Sequence, residues 1–179
     1  MTSFRLPAIQ SVPSLSRAER AAILDSLFEP SPSLHLLCEP ILRENVFANY
    51  AQLVYTIQQE LVKLARSKSE SDRQSLTDIL SSHPRLGEKK IESAQSQAEQ
   101  AQLSTPEPAE TESLSQMNAL YEKTFPGLKY VVFVNGRSRS LILQDMQMRI
   151  DRADFATEQD QAIAAMCDIA NNRAGKLVG

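Results

Sequence analysis

The sequence has no tryptophan and contains only two cysteines, two histidines and five glycines in 179 residues. Two cysteines cannot build a multiple-disulfide framework, and Cys38 and Cys167 both lie in apolar patterns typical of buried thiols. No cysteine or histidine has the spacing of a zinc site, so we expect no metal. Scarce glycine, together with abundant Ala, Leu, Gln, Glu and Ser, favours helix.

Long apolar runs and an excess of basic charge are also missing. No run approaches the roughly 20 residues that cross a bilayer as a helix, and the first residues lack a signal-peptide pattern. The formal net charge of −3 gives no electrostatic footprint for nucleic acid. We therefore expect a soluble intracellular protein with no membrane or nucleic-acid partner. The final residues, 176–179, differ from the Ser-Lys-Leu peroxisomal signal, which favours the cytoplasm over the peroxisome.

Helical periodicity runs through most of the chain. A capping-box pattern at Ser16 and Glu19 predicts one helix start, and Thr157 followed by Asp160 predicts the start of the last helix. A long amphipathic helix is predicted by one apolar stripe. The stripe consists of Val46, Tyr50, Leu53, Val54, Ile57, Leu61 and Leu64. We predict an irregular arm at residues 1–13 and a single all-α domain of about eight helices at 14–179.

One stretch, Leu128 to Val134, departs from the helical pattern. Its residues favour β-structure, but a single strand cannot make a sheet, so we predict an extended segment crossing the helical core. Its backbone N–H and C=O groups have no ladder partners. A ligand rich in amide groups would satisfy them. The alternative is a buried connector whose polar groups bind water or side chains.

The stretch Ser82-His83-Pro84-Arg85-Leu86-Gly87 holds one of the two histidines. Pro84 disfavours helix at His83, and Gly87 permits a tight turn, so His83 should lie at or just past a helix end. Histidine titrates near neutral pH, which makes His83 a candidate acid or base. The alternative is a helix C-cap close to the negative end of the helix dipole.

A second candidate stretch is Ser96-Gln97-Ala98-Glu99-Gln100. A polar helix start beside the His83 turn would bring a hydroxyl, backbone N–H groups and a carboxylate to one place. A carboxylate near a histidine favours imidazolium, which can donate a proton. The alternative is a capping box made by Ser96 and Glu99.

The order of the motifs along the chain resembles that of a known family, the 2-oxo-4-hydroxy-4-carboxy-5-ureidoimidazoline (OHCU) decarboxylases of uric acid degradation. The resemblance covers nearly the whole chain, from about Leu15 to Arg173. The shared motifs are Leu27-Phe28-Glu29-x-Ser31-Pro32, Ser82-His83-Pro84-x-Leu86-Gly87, Ser96-x-x-Glu99-Gln100, Met117-Asn118-x-x-Tyr121-x-x-x-Phe125, Phe133-Val134, Gly136-Arg137, and Ile142-Leu143 ahead of Arg149.

The resemblance implies an all-helical, cofactor-free homodimeric enzyme that converts OHCU to (S)-allantoin with loss of carbon dioxide. The uncatalysed reaction gives racemic product, so the enzyme supplies rate and a single face of protonation. The resemblance makes His83 and Glu99 catalytic and assigns substrate binding to a larger set. That set is Pro84, Ser96, Gln97, Ala98, Gln100, Leu128, Lys129, Tyr130, Val131, Val132 and Arg173.

The chemistry is compatible with these residues. The carbon that loses carboxylate carries a hydroxyl and adjoins an imine-like carbon, so its electrons can delocalise into the ring. We expect His83 to contact the carboxylate or hydroxyl and to deliver the proton, while Glu99 holds the hydroxyl and sets the charge on His83. Arg173 is the best match to the family's arginine for the substrate carboxylate. We expect a structural salt bridge at Arg149 and solvent around Arg137.

A non-enzymatic helical interaction module is the rival interpretation. Its support is the mild acidity, the Gln-rich helix and the lack of a cofactor motif. It predicts that His83 and Glu99 lie far apart with no enclosed pocket between them.

Overall fold

The computed structural model describes residues 4–88, 94–101 and 108–178, with side chains of the last range from residue 112 onward. Over these ranges the chain is all-helical, as predicted, and contains no strand. The elements are a 3-10 helix at Ile9–Ser14, α1 at Arg17–Leu27, α2 at Pro32–Glu44, α3 at Tyr50–Arg66, α4 at Glu70–Leu80, α5 at Ala94–Gln100, α6 at Pro108–Thr124, α7 at Arg139–Arg152 and α8 at Phe155–Leu177.

The centre of the domain is the pair α3 and α8. The stripe predicted for α3 is buried at Leu53, Val54, Ile57 and Leu61. Val46 was assigned to that stripe wrongly: it lies before the Asn49 N-cap and is 70% exposed. On α8, a complementary apolar face is completely buried. It contains Ala162, Ile163, Met166 and Ala170.

Helix starts follow local hydrogen bonding. The capping box at Ser16 and Glu19 is confirmed, since each side chain bonds the backbone N–H of the other residue. The predicted start of α8 at Thr157 is wrong. Asp154 is the N-cap, and its carboxylate accepts from the Thr157 backbone N–H at 3.0 Å.

The N-terminal arm is more ordered than the sequence predicted. Residues Ile9–Ser14 form the 3-10 helix and bury Val12. The Leu6 backbone N–H donates to the Leu177 carbonyl at 3.0 Å, and the Tyr50 hydroxyl donates to the Pro7 carbonyl at 2.8 Å. These contacts fix the arm across one end of α3 and α8.

Both cysteines are free and buried, as expected from their apolar surroundings. Burial raises the pKa of the Cys167 thiol to about 12 and also raises that of Cys38. Neither thiol is therefore a nucleophile near neutral pH. Among the described helices, none is both long and apolar enough to cross a membrane.

Candidate active site

His83 lies beyond the end of α4. The helix ends at Leu80 and its C-cap is Ser81, so His83 is not the cap. Its side chain is only 4% exposed. Its Nε2 atom has no hydrogen-bond partner among the described residues. A buried polar atom without a partner is costly, and its presence beside a cavity is typical of a group that meets a ligand.

The turn that follows His83 is fixed from two helices. Gln100 on α5 accepts from the Gly87 backbone N–H at 2.8 Å and donates to the Arg85 carbonyl at 3.1 Å. Asn118 on α6 donates to the Leu86 carbonyl at 3.0 Å. Gly87 has a φ of +79°, a conformation that glycine adopts without strain. The side-chain amides thus hold the histidine turn in place.

Ser96 lies inside the first turn of α5 rather than before it, because the helix already begins at Ala94. The capping-box alternative for Ser96 is therefore excluded. The Ser96 hydroxyl is buried and donates to Oε1 of Glu29 at 2.5 Å. Glu29 belongs to the Phe28-Glu29 motif, but no role was predicted for it from the sequence. Its burial depends on the contact with Arg173, which is 144 positions away along the chain.

Arg173 joins this pair to Glu99. Its Nε and Nη2 donate to the two oxygens of Glu99 at 2.8 and 2.9 Å, a bidentate arrangement. Nη2 also lies 2.9 Å from Glu29 and 3.0 Å from Ser96, and Nη1 donates to the Phe28 carbonyl. Arg173 is 2% exposed. Burial lowers its pKa, but Glu99 and Glu29 outweigh that effect and the net shift is upward.

The His83 turn, α5, the extended segment and α8 enclose one cavity. The volume of this cavity is about 50 Å³, which is room for a few waters. The lining consists of His83, Pro84, Leu86, Ser96, Glu99, Gln100, Tyr130, Val131, Val132, Val134 and Ile169. His83 and Glu99 thus share one cavity, contrary to what the interaction-module alternative predicts.

Several predicted site residues do not line this cavity. Gln97 and Ala98 are exposed on α5, and Leu128 is buried in the core. Lys129 is half-buried, and Arg173 lies behind Ser96 and Glu99. Sequence reasoning missed three lining residues that the tertiary fold brings in: Leu86, Val134 and Ile169.

The extended segment is held from its far side by arginines. Arg137 donates through Nε to the Val134 carbonyl at 3.4 Å and through Nη2 to the Phe133 carbonyl. The expectation that Arg137 is solvated is therefore wrong: its guanidinium closes the turn after the segment. Arg149 makes a long contact from Nη1 to the Val131 carbonyl at 3.4 Å. These contacts support the connector interpretation for part of the segment.

Arg149 belongs to a buried ion cluster, which confirms the structural salt bridge expected for it. It lies 2.9 Å from Asp145 and 3.2 Å from Glu158. Glu158 is completely buried and also accepts from the Tyr121 hydroxyl at 2.6 Å. The Tyr130 hydroxyl donates to Asp145 at 2.5 Å. The cluster anchors Tyr130, and with it the backbone of the extended segment.

The electrostatics around His83 favour the neutral imidazole. Burial lowers the pKa of His83 to about 3, and the charges of Arg173 and Lys129 add to the effect. This differs from the expectation that Glu99 keeps the imidazole charged. Both oxygens of Glu99 accept from Arg173, and no described residue hydrogen-bonds the Nε2 of His83.

The depressed pKa predicts a pH-dependent loss of stability. Between pH 6.5 and about 3 the unfolded chain binds a proton at His83 that the folded chain does not. Stability contributed by the neutral imidazole is therefore present above pH 6.5 and is lost as the pH falls through this window. The slope from this one group approaches about 1.4 kcal/mol per pH unit.

Urea unfolding of the wild type and His83→Gln at several pH values would measure this. We expect the wild type to lose stability relative to the variant as the solution is acidified. If the free energies of unfolding of the two proteins changed with pH in parallel, His83 would have the same proton affinity in the folded and unfolded states.

The fold and site define a class: a single all-α domain whose buried histidine and paired glutamate face a small cavity with a largely apolar wall. The chain belongs to the OHCU decarboxylase family, whose sequence model matches residues 13–175. This confirms the resemblance identified from the motifs.

The proteins similar to the chain include a curated relative and a solved structure. The uric acid degradation bifunctional protein PucL of Bacillus subtilis (strain 168) is 32% identical over 110 residues, covering 60% of this chain and 22% of PucL. The crystal structure of (S)-allantoin synthase superposes with a TM-score of 0.66 at 16% identity, covering 96% of this chain and 54% of the other. The chain thus spans only part of each relative, and the structural likeness shows the fold.

Proposed function

We propose that the protein decarboxylates OHCU to (S)-allantoin in uric acid degradation. The observation that carries the proposal is the buried Nε2 of His83, which has no partner in the described part of the chain and lies in the same cavity as Glu99. Family membership supports the substrate class. The names of the two similar proteins, which refer to uric acid degradation and allantoin synthesis, point the same way.

In the proposed reaction the bond between the ring carbon and its carboxylate breaks, and carbon dioxide leaves. The electron pair forms a double bond to the neighbouring ring carbon, and the former imine nitrogen accepts the displaced pair and a proton. The resulting enol then loses its hydroxyl proton, and the neighbouring carbon gains a proton on one face. The ring itself is the electron sink, so the chemistry as written calls for no metal or organic cofactor.

A neutral His83 suits the second half of this sequence. Neutral imidazole can accept the hydroxyl proton, which a permanently charged imidazolium cannot do. Burial and the nearby Arg173 and Lys129 disfavour the imidazolium that forms. The protonated imidazole of His83 is therefore a strong acid and readily gives its proton to the substrate carbon. One histidine on a fixed turn would deliver it to one face only.

Glu99 and Arg173 act as a unit in this proposal. Each carboxylate oxygen of Glu99 accepts one bond from Arg173 and keeps a lone pair that can accept from the substrate hydroxyl before His83 removes the hydroxyl proton. All three guanidinium nitrogens of Arg173 already donate to protein groups. We therefore infer that Arg173 positions Glu99, rather than binding the substrate carboxylate as expected from the sequence.

The other substrate contacts in this proposal come from residues that line the cavity. The substrate ring would be held by Ser96, Gln100 and the backbone of Tyr130 to Val132, with Pro84 packed beside it. The family resemblance also supports a homodimer.

Circular dichroism of allantoin tests the proposed function. Urate is oxidised and hydrolysed by the two upstream enzymes, and the purified protein is added to the OHCU that forms. We expect a rapid rise of the (S)-allantoin signal. A signal no different from that of the upstream enzymes alone, which give racemic product, would contradict the proposed activity.

A further inference from the structure

A second cavity adjoins the first. Its volume is about 110 Å³. It shares four wall residues with the first cavity. These are Glu99, Val132, Val134 and Ile169. The second cavity therefore begins where the candidate active site ends. Its outer part lies between the turn at Asn135 and Gly136 and the C-terminal part of α8.

Two polar side chains of this second cavity, Asn172 and Lys176, come from α8, and the others are Glu99 of α5 and Asn135 of the turn. Asn172 is half-buried, and no described residue hydrogen-bonds its side-chain amide. Lys176 lies one turn further along α8, at the exposed rim. The wall is apolar at Val132, Phe133, Val134 and Ile169. An amide and an ammonium at the end of an apolar passage are suited to an uncharged group with a carbonyl and N–H donors.

We propose that the second cavity binds the ureido arm of the substrate, with Asn172 as the residue that recognises it. This inference rests on the proposed function. The first cavity admits only a few waters, which is too little for the ring together with both substituents. The carboxylate and the ureido group are on neighbouring ring carbons and point apart. With the carboxylate toward His83, the ureido arm passes Val132 and Val134 and reaches Asn172.

The side chain of Asn172 matches a ureido group atom by atom. Its carbonyl oxygen accepts from the ureido nitrogen, and its NH₂ donates to the ureido carbonyl. Lys176 can donate to the same carbonyl from the rim. Asn172 is thus a specificity-determining residue for the carbamoyl end of the ligand, separate from the groups that handle the proton.

The test compares Asn172→Ala with Asn171→Ala. Asn171 is the same residue type, one position earlier on α8, but it is exposed and lines the groove between α8 and residues 6–10. We expect Asn172→Ala to raise the KM for OHCU about threefold to tenfold, the loss of a hydrogen-bonded pair, with kcat nearly unchanged. Asn171→Ala should match the wild type. Thermal melting checks that both variants are folded.

Ligand binding gives a second readout. Hydantoin has the ring of allantoin without its ureido arm. In NMR titrations, Asn172→Ala should weaken allantoin binding about threefold to tenfold and leave hydantoin binding unchanged. If the wild type makes (S)-allantoin but the two variants do not differ in KM or in allantoin binding, the subsite is overturned and the proposed function stands. If the wild type makes no (S)-allantoin, both fail.

Discussion

Replacement of His83 by alanine is expected to lower the rate of (S)-allantoin formation by about 10²–10⁴-fold, the usual contribution of a positioned acid or base. The variant loses the imidazole Nε2, the one buried side-chain atom of the candidate cavity that lacks a partner among the described residues. The measurement is kcat/KM from circular dichroism of the product. OHCU should still decay slowly without the imidazole, so the product should become racemic.

His35→Ala is the matched control for this experiment. His35 is the other histidine of the chain, and it pairs with Asp25 at 2.6 Å between α1 and α2, outside the cavity lining. We expect this variant to keep the rate and the enantiomer of the wild type. A folded His83→Ala protein with full rate and pure (S)-product would refute the role proposed for His83.

Arg173→Leu should produce the largest loss of stability, about 3–5 kcal/mol, because it leaves a buried charge without its partner. Glu29 is 3% exposed and would retain only the Ser96 hydroxyl among the groups that now bind it. Glu99 would lose both donors of its bidentate pair. The free energy of unfolding in urea measures the effect, and activity should fall as Glu99 loses its position.

Two further variants separate this cause from a general effect of removing an arginine. Arg66 forms an ion pair with Asp160 at 2.7 Å, but both side chains are about half exposed. Arg66→Leu should therefore change stability by about 1 kcal/mol or less. Adding Glu29→Gln to Arg173→Leu removes the stranded charge and should restore part of the loss. Equal losses for Arg66→Leu and Arg173→Leu would show that the cluster around Arg173 contributes no more than a surface pair.

The helices were predictable because their information is local. The stripe of α3, the capping box at Ser16 and the break after α4 each depend on residues within a few positions of one another. The errors were also local. Asp154 competes with Thr157 for the start of α8 and caps it, and Val46 continues the apolar spacing beyond the point where Asn49 begins the helix.

The candidate site was predicted in part. The motifs identified His83 and Glu99, and the structure places both on one cavity beside the extended segment. The motifs could not show that Glu99 is paired with Arg173, because the two residues are separated by 74 positions along the chain. Burial, together with the charges of Arg173 and Lys129, lowers the pKa of His83 and favours a neutral imidazole, where the sequence had favoured a charged one.

The helical class, the extended segment and the residue types available for proton transfer were all predictable, because composition, periodicity and motif spacing are properties of the chain. Which charges are compensated, and how the space beside His83 is divided, depends on how the helices pack. Burial and long-range pairing set the pKa of a group and the shape of a cavity, and both arise when distant helices pack. Glu29, Ser96 and Arg173 illustrate this, since their charges and hydrogen bonds meet only in the folded core.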